Sequence, residues 1–573
     1  MAHDGRGPAL CRALAAAGLV MSVVAVSGGT PAWAIDPPVV PPGPPPDDPE
    51  PGPDQPMKRV SECVQTTVAP GSDFRELPAP LQMLDMPAAW KESTGAGVVV
   101  GIIDTGVAPQ PRLPHLVAGG DYVMGRYGDG LEDCDAHGTL IASLIGAAPS
   151  GAPLPVRPTN AAAPPPLQGA PEPIPVPPPP PPPTVTVTAT VTSAPPPPPP
   201  PPPGDGPPPE GAPPPPEGVP PVAPAWGQAA EIPMPATPPP GGGPDGLIGI
   251  APDATLISIR QTAQTFGYAE PQFGANTQDV RRVGDIHGMA RAVVRMANLG
   301  AKVINISVVA CIPVAKPADL SELGAALRYA AVDKDAVIVT AAGNAGTDQC
   351  KGQNPDPEPG SVDDPLGWNT VGMIAAPAIF DQFVLTVAAT DSSGTPLTDQ
   401  AASLHGPWVG LAAPGADIVG LGTNGHITNA SVGEDGKLKP IVGSSFSAAY
   451  TSGVAALVRA KFPQLSAHQV IRRLQATATP PAGGRDTVVG YGVIDPVAAL
   501  TWDVPPGDWL APGVDVPLHR KPAPPPADPR PGWGAGTVIG VAVCAIGAAA
   551  WMVTVARRRR AGDSPRAWED RWL

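Results

Sequence analysis

Residues 98–106 read VVVGIIDTG, a nearly continuous apolar run that ends in the carboxylate of Asp104 and a Thr-Gly turn. Further apolar runs of this kind follow at 254–260, 302–307, 336–340 and 383–388. Amphipathic segments such as 285–299 and 321–332 lie between them. Continuous apolar runs are typical of parallel strands that are buried on both faces. The alternation therefore predicts an α/β fold with a parallel sheet between helices, whose chemistry lies at the carboxyl ends of the strands.

Composition indicates that this fold occupies only part of the chain. Of 573 residues, 90 are Pro and 66 are Gly, while 42% are apolar. A Pro plus Gly share of roughly 27% indicates low-complexity stretches beside an ordinary globular core. The formal net charge is −16, and the dense basic run is confined to 557–560. Nucleic acid is not an expected partner, because phosphate binding needs clustered Lys and Arg.

The two ends of the chain predict secretion and membrane anchoring. Residues 1–34 resemble a signal peptide, in which arginines precede an apolar stretch and AWA at 32–34 forms a small-x-small cleavage site. The uncharged apolar stretch 535–556 would span roughly 33 Å as a helix, enough for a bilayer core, and a buried core helix is the alternative. Four arginines follow it, so the positive-inside rule favours a single-pass type I protein with 557–573 in the cytoplasm.

Between these ends, composition divides the chain into five parts. Residues 35–56 form an acidic, proline-rich spacer that we expect to be solvated, and 57–87 form an N-terminal extension. The globular domain covers 88–503, with a proline-rich surface-loop insertion at 150–244. Residues 504–534 form a proline-rich stalk. We expect the proline-rich segments to be disordered, since they lack the apolar residues of a core and favour extended polyproline II.

The cysteines outside the two apolar ends are Cys63, Cys134, Cys311 and Cys350. An even number outside the cytoplasm predicts two disulfides, and three pairings are possible. The chain contains neither a CxxC pair nor an HExxH motif, so we expect no metal site and no cofactor.

Two motifs place titratable side chains near element ends. Asp104 ends a buried strand, where a turn-forming aspartate is the structural alternative. Asp-Thr-Gly also occurs in aspartic proteases, but these need a second such carboxylate, which is absent here. His137 lies in DAHGT, before the apolar stretch 140–145, and would otherwise be a structural or exposed histidine. We expect Gly138 to leave room for a substrate beside its imidazole.

Two further motifs bring an amide and a hydroxyl. Asn344, in AAGNAG, follows the run 336–340 and is either a turn residue or an amide aimed at a developing oxyanion. Ser445, in GSSFSAA, opens a helix, where small residues alone would permit close packing. A serine at a helix N-terminus lies near backbone N–H donors, and this suits a nucleophile whose product is an anionic oxygen.

Together, in the order Asp, His, Asn, Ser, these motifs resemble the subtilisin-like serine proteases, or subtilases. The resemblance covers about 88–500 without the insertion. It rests on IDTG at 103–106, HGT at 137–139, GIAPDA at 249–254, AGNAG at 342–346, GPWV at 406–409 with APG at 413–415, and GSSFSA at 443–448. It implies a subtilisin-like three-layer fold and peptide-bond hydrolysis.

The resemblance also implies a role for each residue. Ser445 would attack the scissile carbonyl, His137 would transfer the proton, and Asp104 would orient the imidazole. Asn344 and the Ser445 N–H would bind the oxyanion, with Ser444 the less favoured nucleophile. Two departures are GSSFS in place of the usual GTSMA, and SVV at 307–309 in place of a Ser-x-Gly substrate-binding edge.

The order of segments resembles a narrower group, the mycosins, which are membrane-anchored proteases of type VII (ESX) secretion systems. The long insertion resembles the paralogue that serves the fifth such system. This resemblance implies the disulfides Cys63–Cys134 and Cys311–Cys350, secreted protein substrates, and partners among the membrane components of a secretion complex.

Two functions from different classes follow. The first is a serine endopeptidase that acts on secreted proteins outside the plasma membrane, and the second is a mainly structural subunit of the secretion membrane complex. A surface adhesin on a proline stalk is a poor third hypothesis, because it leaves the triad unexplained.

Overall fold

A computed structural model describes residues 35–44, 46–151, 245–270, 277–347, 350–433, 435–514 and 544–559. Contacts between residues divide the chain into two units, Met1–Val514 and Asp515–Leu573. The predicted signal peptide and nearly all of the predicted insertion lie outside the described residues, as do most of the stalk, the first part of the predicted membrane helix and the end of the tail.

The first unit contains all the strands of the described ranges. They are β1 (Met57–Arg59), β2 (Thr66–Thr67), β3 (Val99–Asp104), β4 (Leu116–Asp121), β5 (Thr255–Arg260), β6 (Phe266–Tyr268), β7 (Val303–Ile306), β8 (Ala310–Pro313), β9 (Val337–Ala341), β10 (Met373–Ala376), β11 (Val384–Thr390), β12 (Val409–Pro414), β13 (Gly420–Leu421), β14 (Ile427–Thr428), β15 (Ala430–Val432) and β16 (Leu438–Pro440). Its α-helices are α1 (Ala79–Met83), α2 (Met86–Ala89), α3 (His137–Gly146), α4 (Thr277–Asn298), α5 (Ser321–Arg328), α6 (Ser444–Lys461), α7 (Ala467–Thr477) and α8 (Pro496–Thr501).

A seven-stranded sheet in the order β12-β11-β9-β7-β3-β5-β4 forms the centre of this unit. Every neighbouring pair in it is parallel. Two buried cores cover its faces. The core on one face includes side chains of α3, α6, α7 and α8, and the core on the other includes side chains of α4 and α5. The predicted α/β fold with a parallel sheet between helices is therefore confirmed.

Strand β3 explains why the sheet needs helices on both sides. Successive side chains of a strand point to opposite faces. Val100 and Ile102 accordingly pack in the core of α3 and α6, whereas Val99 and Ile103 pack in the core of α4 and α5. Each of these side chains is at most 1% exposed. Polar residues in the middle of this strand would leave buried groups without water, so its polar chemistry is confined to its end, at Asp104.

The observed elements agree with the expected ones except at their ends and at the edges of the sheet. The five apolar runs correspond to β3, β5, β7, β9 and β11, and α4 begins earlier than predicted, at Thr277. The segment 321–332 is a helix only to Arg328 and continues as a π-helical turn, Tyr329–Asp333. Sequence analysis missed β4 and β12, the two edge strands, whose LVAGGD and VGLAAP sequences contain Gly or Pro.

The N-terminal extension pairs with the domain at two places. Strand β1 is antiparallel to β6, and β2 is antiparallel to β15. The described residues of the spacer before it are exposed or half-buried, but some of them also contact the basic face of α4. Asp54 lies 3.0 Å from Arg291 and 2.7 Å from His287, and Asp48 accepts a hydrogen bond from Asn298. Composition alone could not reveal this complementary surface.

The described part of the second unit is a helix at 544–559. Within the described ranges, no helix combines the length and the apolar character that a membrane crossing requires.

Candidate active site

The structure brings Asp104 and His137 into direct contact. Asp104 is the last residue of β3 and is fully buried, while His137 is the first residue of α3 and keeps 28% of its side chain exposed. The Nδ1 atom of His137 lies 2.7 Å from Oδ1 of Asp104. A carboxylate can only accept here, so Nδ1 carries the hydrogen and Nε2 of the neutral ring is left as the acceptor. The ring is therefore oriented as a general base requires.

Gly138 makes this contact possible, for a reason that differs from the expected one. A Cβ atom at this position would collide with the carbonyl oxygen of Gly106 and lie 3.2 Å from Oδ1 of Asp104. The missing side chain thus allows the start of α3 to approach the end of β3. We expected the glycine to admit substrate, but its structural effect is on the distance between Asp104 and His137.

The charges around His137 are negative. Burial of the ring opposes protonation, but the charge and hydrogen bond of Asp104 outweigh it, with smaller contributions from Asp133 and Asp135, so the pKa of His137 is raised. A raised pKa means that the imidazolium is stabilised relative to the neutral ring. This half of the site is thus suited to receiving a proton.

Ser445 lies at the N-terminal end of α6 and is 7% exposed. Its hydroxyl donates to the carbonyl oxygen of Ser307 at 2.9 Å, and the hydroxyl of Ser307 donates to the Ser445 carbonyl at 3.1 Å. The next residue, Phe446, packs against the His137 ring with the ring centroids 5.5 Å apart. The fold therefore brings the serine and histidine motifs together. No hydrogen bond joins Ser445 to His137 in the described part of the chain, since the hydroxyl is bonded to Ser307.

Asn344 follows β9 and faces the start of α6. Its Oδ1 accepts hydrogen bonds from the N–H of Ser444 at 3.0 Å and from the Ser444 hydroxyl at 3.1 Å. A backbone N–H can only donate, so the atom that faces it is the amide oxygen, and Nδ2 is directed elsewhere. The first N–H groups of a helix have no intrahelical acceptor. Nδ2 of Asn344 and the N–H of Ser445 are thus two donors available to an anionic oxygen.

Two disulfides lie at the edges of the site. They are Cys63–Cys134 and Cys311–Cys350, the pairs that the resemblance implies. The first joins the N-terminal extension to the loop before His137. The second lies against Gly343, the residue before Asn344. A Cβ atom at position 343 would be in van der Waals contact with the sulfur of Cys350, at 3.5 Å.

Sequence analysis missed two polar residues of the site. In the sequence, Ser307 stands out only as part of the substrate-edge motif, and no pattern predicts its hydrogen bonds with Ser445. Asp133 was not considered, although it accepts hydrogen bonds from Thr105 and Thr139, which lie beside the predicted catalytic residues. The available signal was the sequence Asp-Cys-Asp, in which Cys134 is flanked by carboxylates just before the histidine motif. Among the described residues, no group of three or more His, Cys, Asp or Glu side chains is arranged to hold a metal ion.

Comparison with known protein families matches residues 235–492 to the subtilase family. The matched span includes Asn344 and Ser445, whereas Asp104 and His137 precede it. Among curated proteins, the chain is similar to Mycosin-5 of Mycobacterium tuberculosis, with 46% identity over 565 residues, covering 95% of this chain and 96% of that protein. Similarity to Mycosin-2 of the same organism is 50% identity over 524 residues, covering 89% of this chain and 92% of that protein.

Among solved structures, the chain is similar to a chain in the structure of an intact ESX-5 inner membrane complex. The TM-score is 0.64 at 43% identity, covering 91% of this chain and 100% of that chain.

Proposed function

The chain belongs to the mycosins, a group within the subtilase family of serine proteases, and on this premise we propose that Asp104, His137 and Ser445 form its catalytic triad. The observation that carries the proposal is the 2.7 Å contact between His137 Nδ1 and the buried carboxylate of Asp104. It fixes the ring with Nε2 free to accept a proton, and the neighbouring Phe446 packs on that ring.

The reaction follows from these positions. The Ser445 hydroxyl would turn from the Ser307 carbonyl toward His137, transfer its proton to Nε2 and attack the scissile carbonyl. The imidazolium that forms would be stabilised by Asp104 and would then protonate the leaving amine. The tetrahedral oxyanion would accept hydrogen bonds from Nδ2 of Asn344 and from the Ser445 N–H.

Substitution of adjacent serines tests the nucleophile. Full-length protein in detergent is treated with a fluorophosphonate probe and assayed on a library of quenched peptides. We expect Ser445→Ala to lose both labelling and hydrolysis. Ser444→Ala is the matched control and should still be labelled, because its backbone N–H continues to hold Asn344. Labelling that persists in Ser445→Ala and disappears in Ser444→Ala would contradict the assignment.

The proposed location is outside the plasma membrane. In this proposal 1–34 are removed as a signal peptide, 535–556 cross the bilayer, and 557–573 remain in the cytoplasm. The four arginines after the apolar stretch support this orientation. In intact spheroplasts, added protease should digest an epitope placed before the stalk and spare one placed at the C-terminus. The reverse pattern would contradict the type I topology.

The proposed substrates are secreted proteins, and the proposed partners are membrane components of a type VII secretion complex. The similar chain in the ESX-5 inner membrane complex supports this association. Mycosin-5 matches more of the chain, whereas Mycosin-2 has the higher identity. We place this protein with the fifth system on the additional ground of the long proline-rich insertion.

A second function, as a structural subunit of that complex, is supported by the same structural neighbour, which is similar over nearly the whole chain. Ser445→Ala separates the two functions in cells. Loss of substrate cleavage with an intact membrane complex would assign the defect to catalysis. Normal secretion and processing in Ser445→Ala cells, together with collapse of the complex when the whole chain is deleted, would favour the structural function.

A further inference from the structure

Asp133 accepts hydrogen bonds on both carboxylate oxygens. Its Oδ1 accepts from the Thr105 hydroxyl at 2.9 Å and from the N–H of Asp135 at 3.1 Å. Its Oδ2 accepts from the N–H of Thr139 at 2.8 Å and from the Thr139 hydroxyl at 2.7 Å. All of the partners donate. An ionised carboxylate is the side-chain group that accepts on both oxygens without offering a proton of its own.

These partners lie beside the two residues that must stay in contact. Thr105 directly follows Asp104 at the end of β3, and its hydroxyl also accepts from the N–H of Gly138 at 2.9 Å. Because the Thr105 hydroxyl gives its proton to Asp133, its lone pair is available to this N–H. The bonds therefore run from the start of α3 through Thr105 to Asp133, and from Asp133 back to Thr139 in α3.

We propose that Asp133 is a positioning residue, which holds Asp104 and His137 at hydrogen-bonding distance by tying the end of β3 to the first turn of α3. The inference rests on the proposed catalytic triad, since it concerns the orientation of its general base. Asp133 acts through Thr105 and Thr139 and touches no reacting atom.

A helix cap is the simpler explanation, and one contact distinguishes it. The N-cap residue of α3, Ala136, has a φ of 60° and no side-chain capping bond, so Asp133 satisfies an N–H at the helix start in its place. Capping requires only the bond to Thr139. The bond to Thr105 connects Asp133 with the end of β3, next to Asp104, and helix capping does not require this bond.

The charge of Asp133 also affects the protonation of His137. Asp104 on β3, and Asp133 and Asp135 in the preceding loop, face His137 and favour its protonated form. Burial raises the pKa of Asp133 to about 7, against the hydrogen bonds from Thr139 and Thr105. The facing residues of α6 are neutral. Nearby, Arg260 at the end of β5 is paired with Asp121 at the end of β4 and with Glu132 in the loop before His137.

The test measures kcat, KM and the pH profile of full-length protein in detergent, per site labelled by fluorophosphonate. At pH 8, we expect Asp133→Asn to lower kcat by about 10- to 100-fold with little change in KM, because a small misplacement of a catalytic group has effects of this size. Loss of the negative charge should also lower the pKa of His137, so the acid limb of kcat/KM should move to lower pH.

Asp135→Asn is the matched control. It removes a charge beside the same histidine, but Asp135 accepts its bonds from Gln264 and Thr265, away from the strand of Asp104. We expect the acid limb of Asp135→Asn to move in the same direction. Its kcat should stay within about threefold of the wild type, since the variant removes a charge but leaves the hydrogen bonds that position the His137 ring intact. Equal kcat losses in the two variants would overturn the inference, because charge alone would then explain them.

Thr105→Val keeps every charge and the helix cap but cuts the bonds to Asp133 and Gly138. We expect a fall in kcat without a shift of the acid limb. This variant decides the matter if Asp133→Asn does not fold, and a wild-type kcat in Thr105→Val would then overturn the inference. Failure of the proposed function is a separate result, since wild-type protein would then hydrolyse peptides no faster than Ser445→Ala.

Discussion

The two sides of the candidate active site are held by different chemistry. On the side of Asp104 and His137, the supporting groups are carboxylates, above all Asp133. On the side of Ser445 and Asn344, the hydrogen bonds of these two side chains are made with neutral groups, the N–H and hydroxyl of Ser444 and the carbonyl of Ser307. We call these the acidic side and the neutral side.

The difference follows from the charge that each side would receive during the reaction. In the proposed reaction, proton transfer would create a cation on His137, and nearby carboxylates stabilise a cation. In the same proposal, attack by Ser445 would create an anion beside Asn344, and a carboxylate there would repel it. The proposed mechanism therefore requires carboxylates to be near His137 and away from the proposed oxyanion donors, and the described carboxylates Asp104 and Asp133 lie on the side of His137.

Gly138→Ala, on the acidic side, should have the largest effect on activity. The added Cβ would strike the Gly106 carbonyl and press on Oδ1 of Asp104, so the histidine would lose its partner. We expect kcat/KM to fall by about 10,000-fold, the loss seen when a triad histidine is deprived of the aspartate that orients it. Gly288→Ala is the control, because a Cβ there would meet only the side chain of Gln261, at 3.4 Å. Equal activities of the two variants would mean that the close approach is dispensable.

Asn344→Ala tests the neutral side. If Asn344 is the oxyanion donor that we propose, its loss should lower kcat by about 100- to 1,000-fold with little change in KM. Asn344→Asp sharpens the comparison, since its carboxylate can still accept from Ser444 but brings a negative charge to this side. We expect Asn344→Asp to be slower than Asn344→Ala at pH 8. If the aspartate variant were the faster of the two, the separation of charge between the two sides would have no catalytic meaning.

The sequence was informative wherever a role depends on neighbours in the chain. The position of Asp104 follows from the apolar run before it, and the start of α6 at the Gly-Ser-Ser motif follows from the small residues that open it. The parallel sheet could be predicted for the same reason, since strands buried on both faces are apolar throughout.

The contacts that the sequence did not reveal join distant segments. Thr105 and Asp133 are 28 residues apart, and Ser307 and Ser445 are 138 residues apart. Their side chains have no periodicity that would mark them. The strands β4 and β12 were missed because edge positions tolerate Gly and Pro, and the role of Gly138 depends on a carbonyl of another element.

The two disulfides give a smaller contrast between the sides. Cys311–Cys350 packs on Gly343, next to Asn344, so replacing both cysteines by alanine should loosen the proposed oxyanion donor and lower kcat by about 10-fold. Cys63–Cys134 closes a longer segment, since its cysteines are 71 positions apart in the sequence, and its removal should cost about 2–4 kcal/mol of stability with a smaller effect on kcat. Kinetics and urea unfolding of the two double variants check this, and the opposite pattern would contradict it.

The smallest expected effect is a pH dependence of stability that only the acidic side should show. Burial raises the pKa of Asp133 from 3.8 to about 7, so between these values the folded state binds a proton that the unfolded state has released. Stability should therefore fall as pH rises through this window. Asp133→Asn should flatten the fall, measured by urea unfolding at pH 5 and pH 7.5. Asn344→Ala, on the neutral side, should leave it unchanged. The lower pKa of His137 in Asp133→Asn flattens the slope in the same direction, and Asp135→Asn, which removes a charge beside His137 but keeps Asp133, measures that contribution separately. An equal slope in wild type and Asp133→Asn would show that this carboxyl is ionised throughout the window, and the acidic side would then differ from the neutral side in catalysis alone.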